Sequence, residues 1–134
     1  MAESLPEEVR EFLRRPNPAV MATTTRDGRP ITAATWYLLE DDDRILINFD
    51  AERVRLKHVR RDPRCALTVL PLDNWYSHVS LRLEVTEITD DTRLTDIDAL
   101  SEHYRGDPYP NRQRPRVSTR AVIRGWSGWG EFAG

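Results

Sequence analysis

Residues 19–48 read AVMATTTRDGRPITAATWYLLEDDDRILIN, and the period of this stretch decides the fold. Apolar and small residues alternate through Ala19-Val20-Met21-Ala22-Thr23 and again through Ile31 to Leu39. Between them stands Asp27-Gly28, a turn dipeptide that joins antiparallel strands. A β-hairpin is expected there. The acidic turn Glu40-Asp41-Asp42-Asp43 leads into Ile45-Leu46-Ile47, which adds a third antiparallel strand and suggests a meander. Downstream, Cys65 to Leu70 is a nearly unbroken apolar run between Pro63 and Pro71, the pattern of a buried strand. Tyr76 to Thr89 alternates Val79, Leu81, Leu83 and Val85 against Ser80, Arg82, Glu84 and Thr86, and then Ile88 falls out of phase. A bulge or sharp bend that wraps one long strand round a closed sheet accounts for the slip. A last strand is expected over Val117 to Ile123.

Helices frame these strands. Ser4-Leu5-Pro6-Glu7 has the capping-box pattern, and Leu5, Val9, Phe12 and Leu13 form one apolar stripe before Arg14-Arg15-Pro16 ends it. Leu94, Ile97, Leu100 and Tyr104 mark a second amphipathic helix, with Asp90 and Asp91 as cap candidates. Residues 52–64 read as a helical or loop-helix connection. The expected architecture is mainly β (α+β), a six-stranded antiparallel barrel with two or three short helices in one domain over residues 1–134.

Composition narrows the function classes. At 134 residues, with 39% apolar and 31% charged positions, the chain supports one core. No apolar run approaches the ~20 residues of a spanning helix, and the start MAESLPEEVR is acidic where a secretory leader is basic and then apolar, so a cytoplasmic protein with no membrane partner is expected. Cys65 is the only cysteine, and the histidines 58, 78 and 103 are scattered, so neither a disulfide nor a metal centre is expected. A net charge of -2 argues against nucleic acid as a partner.

Charge is concentrated in one segment. Arg53, Arg55, Lys57, His58, Arg60, Arg61 and Arg64 stand against only Glu52 and Asp62. Arg53, Lys57, Arg60 or Arg61, and Arg64 share one face at helical spacing. That face is either a site for a phosphate or polycarboxylate or simply a solvated surface. The stretch Tyr104 to Arg116 interleaves aromatic and basic groups on a proline-stiffened loop, suited to covering a planar ligand or to an ordinary connection. Among four tryptophans, Trp36 is expected in the core. The nucleotide-loop, nucleophile-elbow and zinc-helix motifs are missing, so any redox chemistry belongs to a cofactor.

The ordered combination of Phe12-Leu13, Ala19 to Thr23, Asp27-Gly28-Arg29-Pro30, Trp36-Tyr37, Ile45 to Asn48, Arg53 to Lys57 and Arg61-Asp62-Pro63-Arg64-Cys65-Ala66-Leu67 resembles the split β-barrel flavin/deazaflavin oxidoreductases. These belong to the pyridoxamine 5′-phosphate oxidase-like superfamily, and the branch using the deazaflavin coenzyme F420 is the one this chain most resembles. The resemblance implies a homodimer with interface sites, each built from both chains, and a small-molecule substrate. It implies a phosphate-binding element at Arg55 and Lys57 with His58 beside it, a ring-lining segment Thr35-Trp36-Tyr37, and Asn48 and Phe49 next to the ribityl chain. Two features depart from the family pattern: Leu83 in the long strand where glycine is common, and the tail Trp126 to Phe132. FMN carries one phosphate, whereas coenzyme F420 carries a phosphodiester and an oligoglutamate tail, so the long basic strip suits F420, with FMN the alternative. The activity implied is hydride transfer from C5 of the reduced deazaflavin to a small unsaturated substrate. A non-enzymatic cofactor carrier is the other reading, and Tyr37, Tyr76 and His78 are candidate proton donors.

Overall fold

The computed structural model describes residues 4–133. Helix α1 (Glu7–Leu13) precedes strands β1 (Ala19–Thr24), β2 (Pro30–Thr35), β3 (Leu38–Leu39) and β4 (Ile45–Asp50). Helix α2 (Val54–Arg61) leads to β5 (Arg64–Val69) and β6 (Val79–Asp90), and helix α3 (Thr95–Arg105) to β7 (Arg116–Gly128). A single 3₁₀ turn, Gly130–Phe132, follows.

All seven strands form one antiparallel sheet in the order β2-β1-β5-β6-β7-β4-β3. This corrects the expected six strands, the closed barrel and the meander. The run from Ile31 to Leu39 is cut at Trp36-Tyr37: β2 pairs with β1, whereas β3 pairs with β4, and these pairs sit at opposite edges of the sheet. Thr35 and Leu38 are three residues apart, so the two edges come within about 11 Å of each other by the reach of the chain. The sheet therefore curls like a barrel while its hydrogen-bond ladder stays open between β2 and β3.

The expected hairpin is present. Gly28, at φ +85°, takes the left-handed position of the turn, and Thr25 N–H donates to the Arg29 carbonyl at 2.9 Å. The phase slip near Ile88 is a register shift in the β6–β7 ladder, with Thr86 unopposed between Val85 and Glu87. A second shift leaves Arg124 unopposed beside Gly125.

Helix α1 starts later than its capping box suggests. Its N-cap is Pro6, no side chain caps it, and Val9 and Arg10 N–H groups donate to the Pro6 carbonyl. The stripe Leu5, Val9, Phe12 and Leu13 is buried against the sheet. On α3 the N-cap position is Leu94, at φ +61°, yet of the two candidates Asp91 does the capping from three residues earlier, accepting from Asp96 N–H at 3.1 Å and Ile97 N–H at 2.9 Å, while Asp90 ends β6. Arg64 falls in β5 rather than on the basic helix, and it pairs with Asp62.

Tyr37 is fully buried between α1 and the sheet. Its hydroxyl donates to the Leu13 carbonyl at 2.7 Å and accepts from Asn17 Nδ2 at 3.1 Å. Burial raises its pKa, which keeps the phenol protonated. Tyr37→Phe leaves that carbonyl unpartnered in the core, with an expected loss of about 1–3 kcal/mol, read from the urea midpoint. No helix among the described residues is long and apolar enough to cross a membrane.

Candidate functional site

The break between β2 and β3 brings Trp36 to a cavity of about 730 Å³, which is within the usual range for a small-molecule or cofactor site. Trp36 stacks on Tyr104 of α3, with ring centroids 5.3 Å apart and planes inclined by 10°, and Tyr109 meets it edge-on at 6.3 Å. Tyr104 is held by its hydroxyl, which donates to the Asn17 carbonyl at 2.7 Å, and burial pushes its pKa up to about 12. Ile97 and Leu100 continue this apolar wall along α3. Trp36 is thus half-buried and lines the cavity instead of filling the core.

The same lining carries basic groups. Arg53 and Arg55, at the start of α2, both line the cavity, and the Arg55 guanidinium lies 5.2 Å from the Phe49 ring centroid. Among the described residues neither arginine has a carboxylate at ion-pair distance, whereas Arg10, Arg44, Arg64, Arg112, Arg114 and Arg120 all do. Arg55 is half-buried, and desolvation followed by the charge of Arg53 lowers its pKa, a sign that its charge is uncompensated. The first turn of α2 carries no acidic residue, and although Leu56 N–H donates to the Arg53 carbonyl at 3.1 Å, the N–H groups of Val54 and Arg55 ahead of it have no acceptor among the described residues. Two cations and a helix start suit a phosphate.

Of the residues singled out in the sequence, Thr35, Trp36, Asn48, Phe49 and Arg55 line this one cavity. Lys57 is exposed on α2 and outside the lining, and Tyr37 is in the core. His58 is buried with Nδ1 2.8 Å from Thr23 Oγ1, away from the cavity. The candidate proton donors are not brought to the lining either: Tyr76 is exposed, and His78 stacks on Trp129 at 5.8 Å. Sequence reasoning did not single out Arg116, whose Nε donates to Asn48 Oδ1 at 2.9 Å and whose guanidinium lies 4.9 Å from the Tyr109 ring centroid.

Residues 5–130 match the family model described as pyridoxamine 5′-phosphate oxidase. The chain belongs to this family. Among solved structures it is similar to an F420 reductase, with 25% identity, a TM-score of 0.82, and coverage of 92% of this chain and 98% of that one. It is also similar to a conserved hypothetical protein of Mycobacterium tuberculosis, at 25% identity, TM-score 0.74, and 96% and 86% coverage. The general stress protein 26 of Bacillus anthracis shares the fold at 13% identity, with a TM-score of 0.68 and 92% coverage of each chain. No curated protein matches the sequence. Family membership makes this a flavin/deazaflavin-type oxidoreductase fold, and an aromatic wall sharing one cavity with the unpaired Arg53, Arg55 and Arg116 fits a flat ring system with an anionic arm.

Cys65 stands apart from this chemistry. It packs partly against the core, and burial, aided by the charge of Asp62, pushes its thiol up to about 12. An acid whose folded pKa is raised above its unfolded value of ~8.5 stays protonated in the native state, so stability falls as pH rises from that value toward 12. Iodoacetamide at pH 9 is expected to label native Cys65 at least about tenfold more slowly than the urea-unfolded chain, as read by mass spectrometry.

Proposed function

We propose that this chain is a coenzyme F420-dependent oxidoreductase that works as a homodimer on a small unsaturated substrate. The observation that carries the reading is the unpaired, half-buried Arg55 beside Arg53, at a helix start that lines the same cavity as the Trp36–Tyr104 stack. The similarity to an F420 reductase supports the choice of coenzyme. When bound, the coenzyme supplies two electrons as a hydride at C5, and the substrate takes a proton from solvent.

The chain's own residues bind and orient. Arg53 and Arg55 hold the phosphate. Trp36 and Tyr104 present a rigid aromatic face, fixed because the Tyr104 hydroxyl is tied to Asn17. Phe49 and the wall of Ile97 and Leu100 exclude water from the apolar half. The second subunit is proposed because β2 is an edge strand with Ile31 exposed, and because Leu72, at the cavity, is 85% exposed. Sedimentation at micromolar concentration is expected to give twice the chain mass, and a monomer that binds coenzyme removes the two-chain site.

Titration of the purified protein with coenzyme F420 of increasing tail length and with FMN, followed by absorbance and fluorescence, tests the coenzyme. F420 is expected to bind more tightly than FMN, with affinity rising with tail length and falling with salt. Tighter FMN binding makes this an FMN-dependent oxidase or reductase. Coenzyme binding without turnover on any of a panel of activated alkenes makes it a carrier.

A further inference from the structure

We infer that Arg116 is a carboxylate-recognising residue, held in place by Asn48, and that the substrate reduced here carries a carboxylate seated in a side chamber of the cavity. This rests on the reading of the main cavity as a coenzyme site. A smaller cavity of about 380 Å³ adjoins the main one, and the two share Asp50, Arg53, Tyr109 and Arg116. It is large enough for a single-ring molecule. Its two acids are already engaged: Arg114 binds Asp50 through Nε and Nη2, and Glu52 through Nη2 at 2.9 Å. The cations left without an acid at the junction are Arg53 and Arg116.

Arg116 is kept unpaired by its surroundings. Asp50 is its direct cross-strand partner in the β4–β7 ladder, yet no ion pair forms between them, because Asp50 is taken by Arg114. Its neighbours Arg112 and Arg120 are paired with Asp98, and with Glu40 and Asp96. Arg116 instead donates Nε to the neutral amide oxygen of Asn48. That amide cannot flip, since Nδ2 donates to Asp91 Oδ2 at 3.1 Å and Ser118 Oγ at 3.0 Å. Asp91 is buried and simultaneously caps α3, the helix that carries Tyr104. The guanidinium is thus fixed by one N–H and by the Tyr109 face, with its two Nη groups left as a planar fork. Such a fork matches the two oxygens of a carboxylate, and although the Arg116 charge helps lower the pKa of Asp50, no carboxylate among the described residues is at ion-pair distance from it. Tyr109 supplies an aromatic surface beside it, so a planar, conjugated carboxylate fits the chamber.

Benzoate and its neutral isostere benzamide serve as probes, with affinities measured by calorimetry in the free protein and in the protein saturated with the coenzyme it binds. A charge-assisted pair corresponds to a preference for benzoate of about ten- to a hundredfold, expected in both states. Arg116→Gln is expected to abolish that preference while leaving benzamide affinity unchanged. Asn48→Leu, which keeps Arg116 but frees it toward Asp50, is expected to cut the preference at least about threefold, roughly half of such a pair on a logarithmic scale, again with benzamide unchanged. If Arg116→Gln does not fold, Arg116→Lys carries the test, since a point charge without the fork must also lose preference. Equal binding of the two probes, an unaltered preference in these variants, or displacement of benzoate by the coenzyme overturns the proposal. The coenzyme reading fails separately: Arg55→Gln should weaken coenzyme binding and spare the benzoate preference, and a coenzyme affinity indifferent to Arg55 refutes that reading alone.

Discussion

Arg55→Ala is expected to weaken coenzyme binding by about ten- to a hundredfold, the equivalent of one charge-assisted contact of roughly 1.5–3 kcal/mol. The magnitude follows from what Arg55 lacks. It is half-buried, touches Met21 Sδ at 3.7 Å and the face of Phe49, and has no carboxylate among the described residues to satisfy it, so an incoming phosphate is its first strong partner. Arg60 and Arg61 are exposed on α2 and away from the lining, and exposed charges contribute only ~0–1 kcal/mol. Lys57 shares that exposure, so Lys57→Ala is expected to behave like the Arg60 and Arg61 variants. A loss at Lys57 as large as at Arg55 would place Lys57 in the cavity of the partner subunit. An unaffected Arg55→Ala removes the anion site. Titration of the four alanine variants, each with an unchanged melting temperature, reads all these outcomes.

Much of the secondary structure was legible because it is local. The Asp27-Gly28 turn, the stripe on α1 and the slip before Ile88 all express themselves within a few residues. Strand pairing is not local. Nothing in Ile31 to Leu39 says that its two halves join opposite edges of the sheet, because the break at Trp36-Tyr37 is imposed by Tyr37 burying its hydroxyl under α1. The site divides the same way. The Arg53–Arg55 pair stood out as a charge run, and the loop from Tyr104 to Arg116 stood out by its aromatic and basic mixture. Arg116 did not, since in the sequence it is one of four arginines between positions 105 and 116. What distinguishes it is the missing carboxylate partner, which depends on Arg114 having taken Asp50.

Gly128→Ala is expected to lower the melting temperature by roughly 10 °C or more, because it unseats the C-terminal turn. The tail has no periodicity of its own, and its place is set by contacts distant in sequence. Phe132 is 8% exposed, and its ring centroid lies 4.7 Å from that of Phe12 on α1. The turn is anchored by Trp129 N–H donating to the His78 carbonyl at 3.0 Å and Glu131 N–H to Ser77 Oγ at 3.1 Å. A Cβ on Gly128 would stand 2.1 Å from the Phe132 carbonyl oxygen and 2.8 Å from the carbon that bears it. That obstacle is backbone, so it cannot swing aside as the flexible Arg82 side chain opposite Gly125 can. Relief requires the turn to lift, which exposes Phe132 and opens a void beside Phe12. Truncating a buried Phe costs about 3–5 kcal/mol, and this sets the ceiling for the loss. Gly28→Ala is the control: unlike Gly128, Gly28 has a positive φ, but open space surrounds it, so only the left-handed strain of about 1–2 kcal/mol applies. Phe132→Ala should cost most of its 3–5 kcal/mol in the native background and little in the Gly128→Ala background, because the ring has already left its seat. Strict additivity of the two substitutions would mean that the turn stays docked and that the strain is absorbed within β7.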